Sequence, residues 1–313
     1  MESKSTNSIP HIIWFMGTGH FAELCLDGLT RRNIHIHRVI TGLPTRSGRS
    51  GKENPSPVEI KASELGLPVS RTGKLTENQE LLSALEAESP AVIFVIDFGQ
   101  IIREPFLSRM CLNIHPSLLP EYRGAAPIQR ALLDGKTYTG VTLFRLVQAM
   151  DAGGIAAQER VEISPSENAS DLYARLAEIG CTIAANVVND LEGITFTPQD
   201  DSLATFAPKL AKEEFALTFG MTAQRFVDTV RALDMSGGAY AVIRGKRVKV
   251  WRASVRDDLK GENPGQVLET KGCPVAACAD CGVELLEVQS EGRNRTSGAE
   301  WARGIRIHEG DVL

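Results

Sequence analysis

Apolar positions in the first part of the chain follow two rhythms. Residues 11–17, HIIWFMG, form a short apolar run closed by glycine, the pattern of a buried strand. FAELCLDGLTRR (21–32) places Phe21, Leu24, Cys25 and Leu29 at helical spacing. HIHRVITG (35–42) alternates and is β-branched, so it reads as a strand. SPVEIKASELG (56–66) reads as a helix with Pro57 near its start and Gly66 at its end. TENQELLSALEAES (76–89) reads as another, with Thr76 as N-cap. AVIFVID (91–97) is an apolar run closed by Asp97, the signature of a parallel strand buried on both faces. CLNIH (111–115) predicts a strand, APIQRALLDG (126–135) a helix and GVTLFRLV (140–147) a strand. This alternation predicts an α/β domain, a Rossmann-like parallel sheet with helices on both faces. Ligands of such sheets bind at the carboxyl ends of strands, where Asp97, Asn113, His115 and Asp151 fall.

The pattern then changes. Residues 166–193 carry the spacing of a long amphipathic helix, and 194–214 (ITFTPQDDSLATFAPKLAKEE) carry no period and read as a linker. TAQRFVDTVRALD (222–234) is helical. Five short strand patterns follow, AYAVIRG, KRVKVWRASV, GQVLET, PVAACAD and GVELLEVQ, separated by glycine turns. They predict a small, OB-like β-barrel. GTGHF (17–21) lacks the third glycine of a dinucleotide fingerprint and reads as a tight turn. LPTRSGRSGKENPSP (43–57) is basic and rich in Gly, Ser and Pro, the composition of a mobile surface loop.

Composition adds little to this picture except in three places. The polar N-terminus turns apolar only briefly, too short for a signal segment, and no run reaches membrane-spanning length, so a cytoplasmic location is expected. Six cysteines are spread thinly, and Cys278-x-x-Cys281 lies inside a strand–turn–strand pattern, which favours reduced thiols over a zinc site. The net charge of −5 hides an asymmetry: of 34 basic and 39 acidic residues, 16 and 15 lie in 205–313. Six basic and no acidic residues stand between Arg244 and Arg256. That stretch is either a solvated strand face or a phosphate-facing one.

Asn113, His115 and Asp151 carry the candidate chemistry. Ser117 is near, but HPSLLP is no nucleophile elbow, and no third ligand accompanies His115 and Asp151 for a metal. Each residue alone is more often structural. Together they suit acyl transfer to an amine. An Asn amide donates to a developing oxyanion, an imidazole accepts the amine proton, and an Asp orients the imidazole.

NIHPSLLPEYRGAAPIQRALLDG, followed by TGVTLF and MDAGG, resembles the folate-dependent formyltransferases, whose hallmark is Asn-x-His-x-Ser-Leu-Leu-Pro with a downstream Asp-x-Gly. PSPVEIKASELGLPV, ATFAPKLAKEE and VKVWRAS are similar to the members of that family that act on initiator tRNA. The resemblance implies a catalytic domain over 1–192, a linker over 193–212 and a tRNA-binding barrel over 213–313. It implies formyl transfer from 10-formyltetrahydrofolate to the α-amine of methionyl initiator tRNA, with no metal and the chain a monomer. Carried over, Asn113, His115 and Asp151 are the catalytic residues. Ser117, Leu118, Leu119 and Pro120, with Asp97, Phe98 and Gly99, border the folate. Arg46, Arg49 and Lys52 in the loop, Lys209 in the linker, and Lys246, Arg247, Lys249 and Arg252 in the barrel meet tRNA. Two alternatives stay open: a formyltransferase for a nucleotide-linked amino sugar, and a non-catalytic folate- or RNA-binding relative.

Overall fold

The computed structural model describes residues 11–47 and 52–313. The chain folds as two compact units. The first gathers residues up to 123, 140–161 and 173–205. The second gathers 124–139, 162–172 and 206–313, so each unit is built from separated stretches.

In the first unit the apolar runs become strands. They are β1 (Ile13–Gly17), β2 (Arg38–Gly42), β3 (Val69–Thr72), β4 (Val92–Ile96), β5 (Cys111–His115), β6 (Tyr138–Arg145) and β7 (Ile155–Glu162). Helices α1 (His20–Arg31), α2 (Pro57–Glu64) and α3 (Gln79–Glu88) link the early strands, α4 (Pro127–Leu133) precedes β6, and α5 (Ala169–Val188) follows β7. The sheet order is β7-β6-β5-β4-β1-β2-β3. β1 pairs in parallel with β2 and β4, β2 with β3, and β4 with β5. Every residue of β1 and β4 is buried, as a central strand covered on both faces requires. Trp14, Met16, Ile93, Val95, Phe98 and Phe106 fill one face together with Leu81 and Leu85 of α3.

Three local expectations change. β6 runs antiparallel to β5, because the intervening α4 belongs to the other compact unit and forms no crossover on this sheet. Asn78, not Thr76, caps α3 by accepting from Leu81 N at 3.1 Å. Residues Leu75–Glu77 are already wound into a 3₁₀ turn anchored by buried Leu75, which moves the helix start two residues on. β3 and β7 lack a clear apolar period because they are edge strands. α2 matches the expected signal: Ser56 Oγ accepts from Glu59 N at 3.0 Å and Pro57 opens the helix. In the predicted surface loop, Thr45–Ser47 and Lys52–Asn54 pair antiparallel.

The second unit carries β8 (Ala216–Leu217), α6 (Ala223–Leu233), β9 (Ala239–Ile243), β10 (Lys246–Arg256), β11 (Val267–Glu269), β12 (Val275–Ala277), β13 (Gly282–Ser290) and α7 (Gly298–Gly304). Its sheet order is β8-β9-β10-β13-β12-β11. Among the described residues the expected barrel is an open path. The free edge of β11 is taken by the chain's last residues, with Val267 N donating to Asp311 O at 2.8 Å and Gln266 bridged to Val312. β10 bends through register shifts at Val250–Arg252 and Arg252–Ala253. α6 packs against β10 through a face including Phe226, Val230 and Leu233. The Cys278–Cys281 segment is the turn between β12 and β13, closed by Cys278 N donating to Cys281 O at 2.8 Å.

Candidate active site

Asn113 and His115 lie two apart on β5 and therefore share one face of the sheet. His115 is 5% exposed and packs edge-on against Phe144, with ring centroids 6.3 Å apart. Its Nε2 lies 3.0 Å from the Tyr122 carbonyl oxygen. A carbonyl only accepts, so Nε2 carries the proton and the neutral ring keeps its lone pair on Nδ1. That nitrogen faces Asp151, 3.9 Å from Oδ2. The separation exceeds a hydrogen bond but lies within ion-pair range. The carboxamide of half-buried Asn113 makes no hydrogen bond to another described residue, which leaves its N–H groups free to donate.

Backbone strain gathers around this pair. Asp151 (φ +50°), Tyr122 (φ +59°) and Asp97 (φ +45°) are all left-handed without being glycine. Such a residue costs about 1–2 kcal/mol and persists where its surroundings over-determine it. At Asp151 those surroundings are explicit. Gln199 Nε2 donates to the carbonyls of Asp151 (2.8 Å) and Gly153 (2.7 Å). Gln199 Oε1 accepts from Arg123 Nε (3.1 Å) and Nη2 (2.7 Å). Arg123 is buried and also pairs with exposed Asp201 at 2.7 Å. Gly153 has no room for a side chain, since a Cβ would lie 1.7 Å from the Arg145 carbonyl oxygen.

The SLLP turn is locked from within. Ser117 is fully buried and its hydroxyl donates to Glu121 O at 2.6 Å. Thr142 Oγ1 donates to Ser117 O (2.7 Å) and accepts from Leu119 N (3.1 Å), and Gln158 Nε2 donates to Leu119 O (2.9 Å). Leu118 and Pro120 remain half-exposed, while Leu119 is buried. At the end of β4, Phe98 belongs to the core and Gly99 turns the chain at φ +74°. Asp97 sits at the point where the strand order reverses between β1 and β4. Its carbonyl accepts from Thr18 N (3.0 Å) and Gly19 N (3.2 Å). Loss of solvent raises its carboxyl pKa, nearby His20 opposes that shift, and one side of the residue stays exposed. A side chain at position 19 would displace the Asp97 carboxylate, since a Cβ would fall 1.7 Å from Asp97 Oδ2.

Of the expected tRNA-facing residues, Arg46 and Lys52 occupy the short antiparallel pair and Arg49 lies outside the described residues. Lys209 is exposed. On β10, Lys246, Arg247 and Arg252 are exposed and Lys249 is half-buried. Arg247 lies 3.9 Å over the Tyr240 ring and Lys249 5.5 Å over Trp251. Arg295, missed in the sequence, covers the same Trp251 at 3.4 Å. Gln199 and Arg123 were missed as well. Their only trace is the TPQ of a segment without period and the Arg that follows Tyr122.

Residues 11–188 match the family model described as formyl transferase, and 209–306 match the formyl transferase C-terminal domain. Methionyl-tRNA formyltransferase of Lactobacillus acidophilus is 35% identical over 93% of this chain and 94% of its own length. The protein of the same name from Methylobacterium nodulans is 36% identical over 97% of this chain and 100% of its own. HypX from Aquifex aeolicus, solved in complex with tetrahydrofolic acid, has a TM-score of 0.64 at 19% identity, covering 97% of this chain and 49% of HypX. WlaRD, a sugar 3N-formyl transferase, has a TM-score of 0.63 at 17% identity, covering 92% of this chain and 100% of its own. These two structures share the fold.

Proposed function

The chain belongs to the formyl transferase family, and on that premise we propose that it formylates the α-amine of methionyl initiator tRNA, with 10-formyltetrahydrofolate as donor. The observation that carries this reading is the near full-length match to relatives named methionyl-tRNA formyltransferase, which extends through the C-terminal sheet as well as the strand-end site. Low-identity likeness to a sugar formyltransferase weighs less, since fold alone does not select substrate.

The amine attacks the formyl carbon, and the carbonyl oxygen gains charge. Asn113 donates to that oxyanion. The Nδ1 lone pair of His115 takes the proton released by the amine, and the Asp151 carboxylate, 3.9 Å away, balances the imidazolium. The bond from carbon to the folate nitrogen then breaks, the imidazolium returns its proton to that nitrogen, and tetrahydrofolate leaves. The SLLP turn and the end of β4 border the folate, with Leu118 and Pro120 giving apolar contact, Ser117 and Leu119 holding the turn, and Asp97 and Gly99 meeting polar edges of the pterin. Phe98 supports this wall from the core.

Residues 1–192 act as the catalytic part, together with Gln199 and its neighbours up to 205 from the start of the 193–212 connecting segment, and 213–313 act as an OB-like, tRNA-holding part. Lys246, Arg247, Lys249 and Arg252 contact tRNA phosphates there, and Lys209 does so from the connecting segment. Arg46, Arg49 and Lys52 approach the charged end. The protein works as a monomer in the cytoplasm. The test is transfer of labelled formyl to charged initiator tRNA, beside charged elongator tRNA and amino-sugar nucleotides. Transfer to the sugar alone would move the assignment to that substrate.

A further inference from the structure

We propose that Gln199, held by Arg123, is a positioning residue for Asp151, and that it does so from a stretch of chain whose sequence reads as mere linker. The inference rests on the reading above that Asp151 works with His115 in transfer.

The carboxamide is used at both ends. Its nitrogen serves the carbonyls of Asp151 and Gly153, at 2.8 and 2.7 Å, and its oxygen takes both Arg123 contacts. A guanidinium only donates and carbonyls only accept, so this orientation of the amide is the one the network permits. The backbone holds the segment in register: Ile155 and Thr197 exchange N–H···O bonds of 2.8 and 2.9 Å. Asp151 gains from such support, because its left-handed φ is disfavoured relative to glycine, although less for Asp than for most residues. Arg123 gives the network its second consequence. It follows Tyr122, whose carbonyl binds His115 Nε2. One dipeptide therefore sets the imidazole directly and reaches the Asp151 loop through Gln199. The 3.9 Å gap between Nδ1 and Oδ2 is the distance held from both sides.

A residue that only stabilises the fold would lower thermal stability without a selective effect on turnover. A positioning residue affects kcat and acts through Asp151. Full-length Gln199→Met keeps the bulk and removes all four hydrogen bonds. It is expected to lower kcat about 10–100-fold, the scale of a misplacement near 1 Å, with KM for folate and tRNA within about 2-fold. Asp151→Ala is expected to impair transfer by itself, and adding Gln199→Met to it should cost nothing more, because the residue being positioned is gone. Asp201→Asn, at an exposed site that only steadies Arg123, should give a smaller loss of the same kind.

Wild-type turnover in Asp151→Ala would refute the catalytic reading itself. An impaired Asp151→Ala with an unimpaired Gln199→Met would refute the positioning role alone. So would a full, additive loss from Gln199→Met in the Asp151→Ala background. If Gln199→Met does not fold, the same cycle is run with Asp201→Asn, and unchanged kcat there overturns the proposal.

Discussion

At the scale of single residues, the Tyr122 carbonyl decides which nitrogen of His115 is available, and it leaves Nδ1 toward Asp151. His115→Ala and Asp151→Ala should each lower single-turnover transfer by roughly 10²–10⁴-fold. Asn113→Ala should lower it by about 10²–10³-fold, the cost of one oxyanion donor. Circular dichroism should show the parent fold at the assay temperature for all three, with Asp151→Ala melting lower because alanine is disfavoured at its left-handed φ, and this separates chemistry from folding. Near-parental turnover in all three would remove the assignment. The three residues were readable in the sequence because Asn113 and His115 stand on one strand of a short distinctive block and Asp151 follows the next strand in a glycine-bearing motif. Gln199 was not, because a carboxamide that clamps backbone carbonyls leaves no spacing or apolar period. Arg295 was not, because its ring partner Trp251 lies 44 positions upstream and only strand pairing brings them together.

Among the strands of the first sheet, those buried on both faces were legible and the two at its edges were not. β1 and β4 are continuous apolar runs because helices cover both sides. Among the described residues, β3 and β7 have a strand of the sheet on one side only, with Thr197 bridging the outer edge of β7 at Ile155 alone, and they carry polar residues that break the alternation. The start of α3 offers a direct check of a misread cap. Asn78→Ala should destabilise by about 1 kcal/mol, whereas Thr76→Ala, outside the helix, should change stability little, as read from urea midpoints. The end of α6 offers a check by pH. Asp234 is the C-cap residue, its Oδ1 is buried without a hydrogen bond, and Ser170 Oγ donates to Oδ2 at 2.6 Å. Loss of solvent raises its pKa, and the bonds from Ser170 only partly offset this. A raised carboxyl pKa means that the folded state holds this proton to higher pH than the unfolded state does. Stability from this group is therefore greatest in acid and declines as pH rises from the ordinary aspartate range through the raised value. A negative charge at a helix C-terminus adds to the penalty. Asp234→Asn keeps an acceptor for Ser170, so its melting temperature relative to the parent should rise between pH 4 and pH 7. An equal difference at both pH values would show that the charge is not the cause.

Over the whole molecule, the near-neutral balance of residues 205–313 conceals local cation clusters. Arg247, Lys249 and Arg295 lie over the faces of Tyr240 and Trp251, which holds the charges in place while leaving their outer sides to a polyanion. Arg247→Ala should weaken tRNA binding and reduce the slope of log affinity against log salt by about 1. Filter binding at several salt concentrations measures both. A change in affinity without a change in slope would mean a packing role for the guanidinium over Tyr240 rather than a phosphate contact.

The stretch from Thr197 to Thr205 also bears on how the chain can be divided. It follows α5, beyond the last residue matched by the N-terminal family model, yet it belongs to the first compact unit and supplies Gln199, Asp201 and Thr205 to the loops around His115 and Asp151. A fragment ended where α5 ends would keep every residue expected to do chemistry and lose the ones that hold them. In swapping or recombining such proteins, the crossover belongs after residue 205. A junction placed at the helix end would pair one parent's catalytic loop with another parent's clamp.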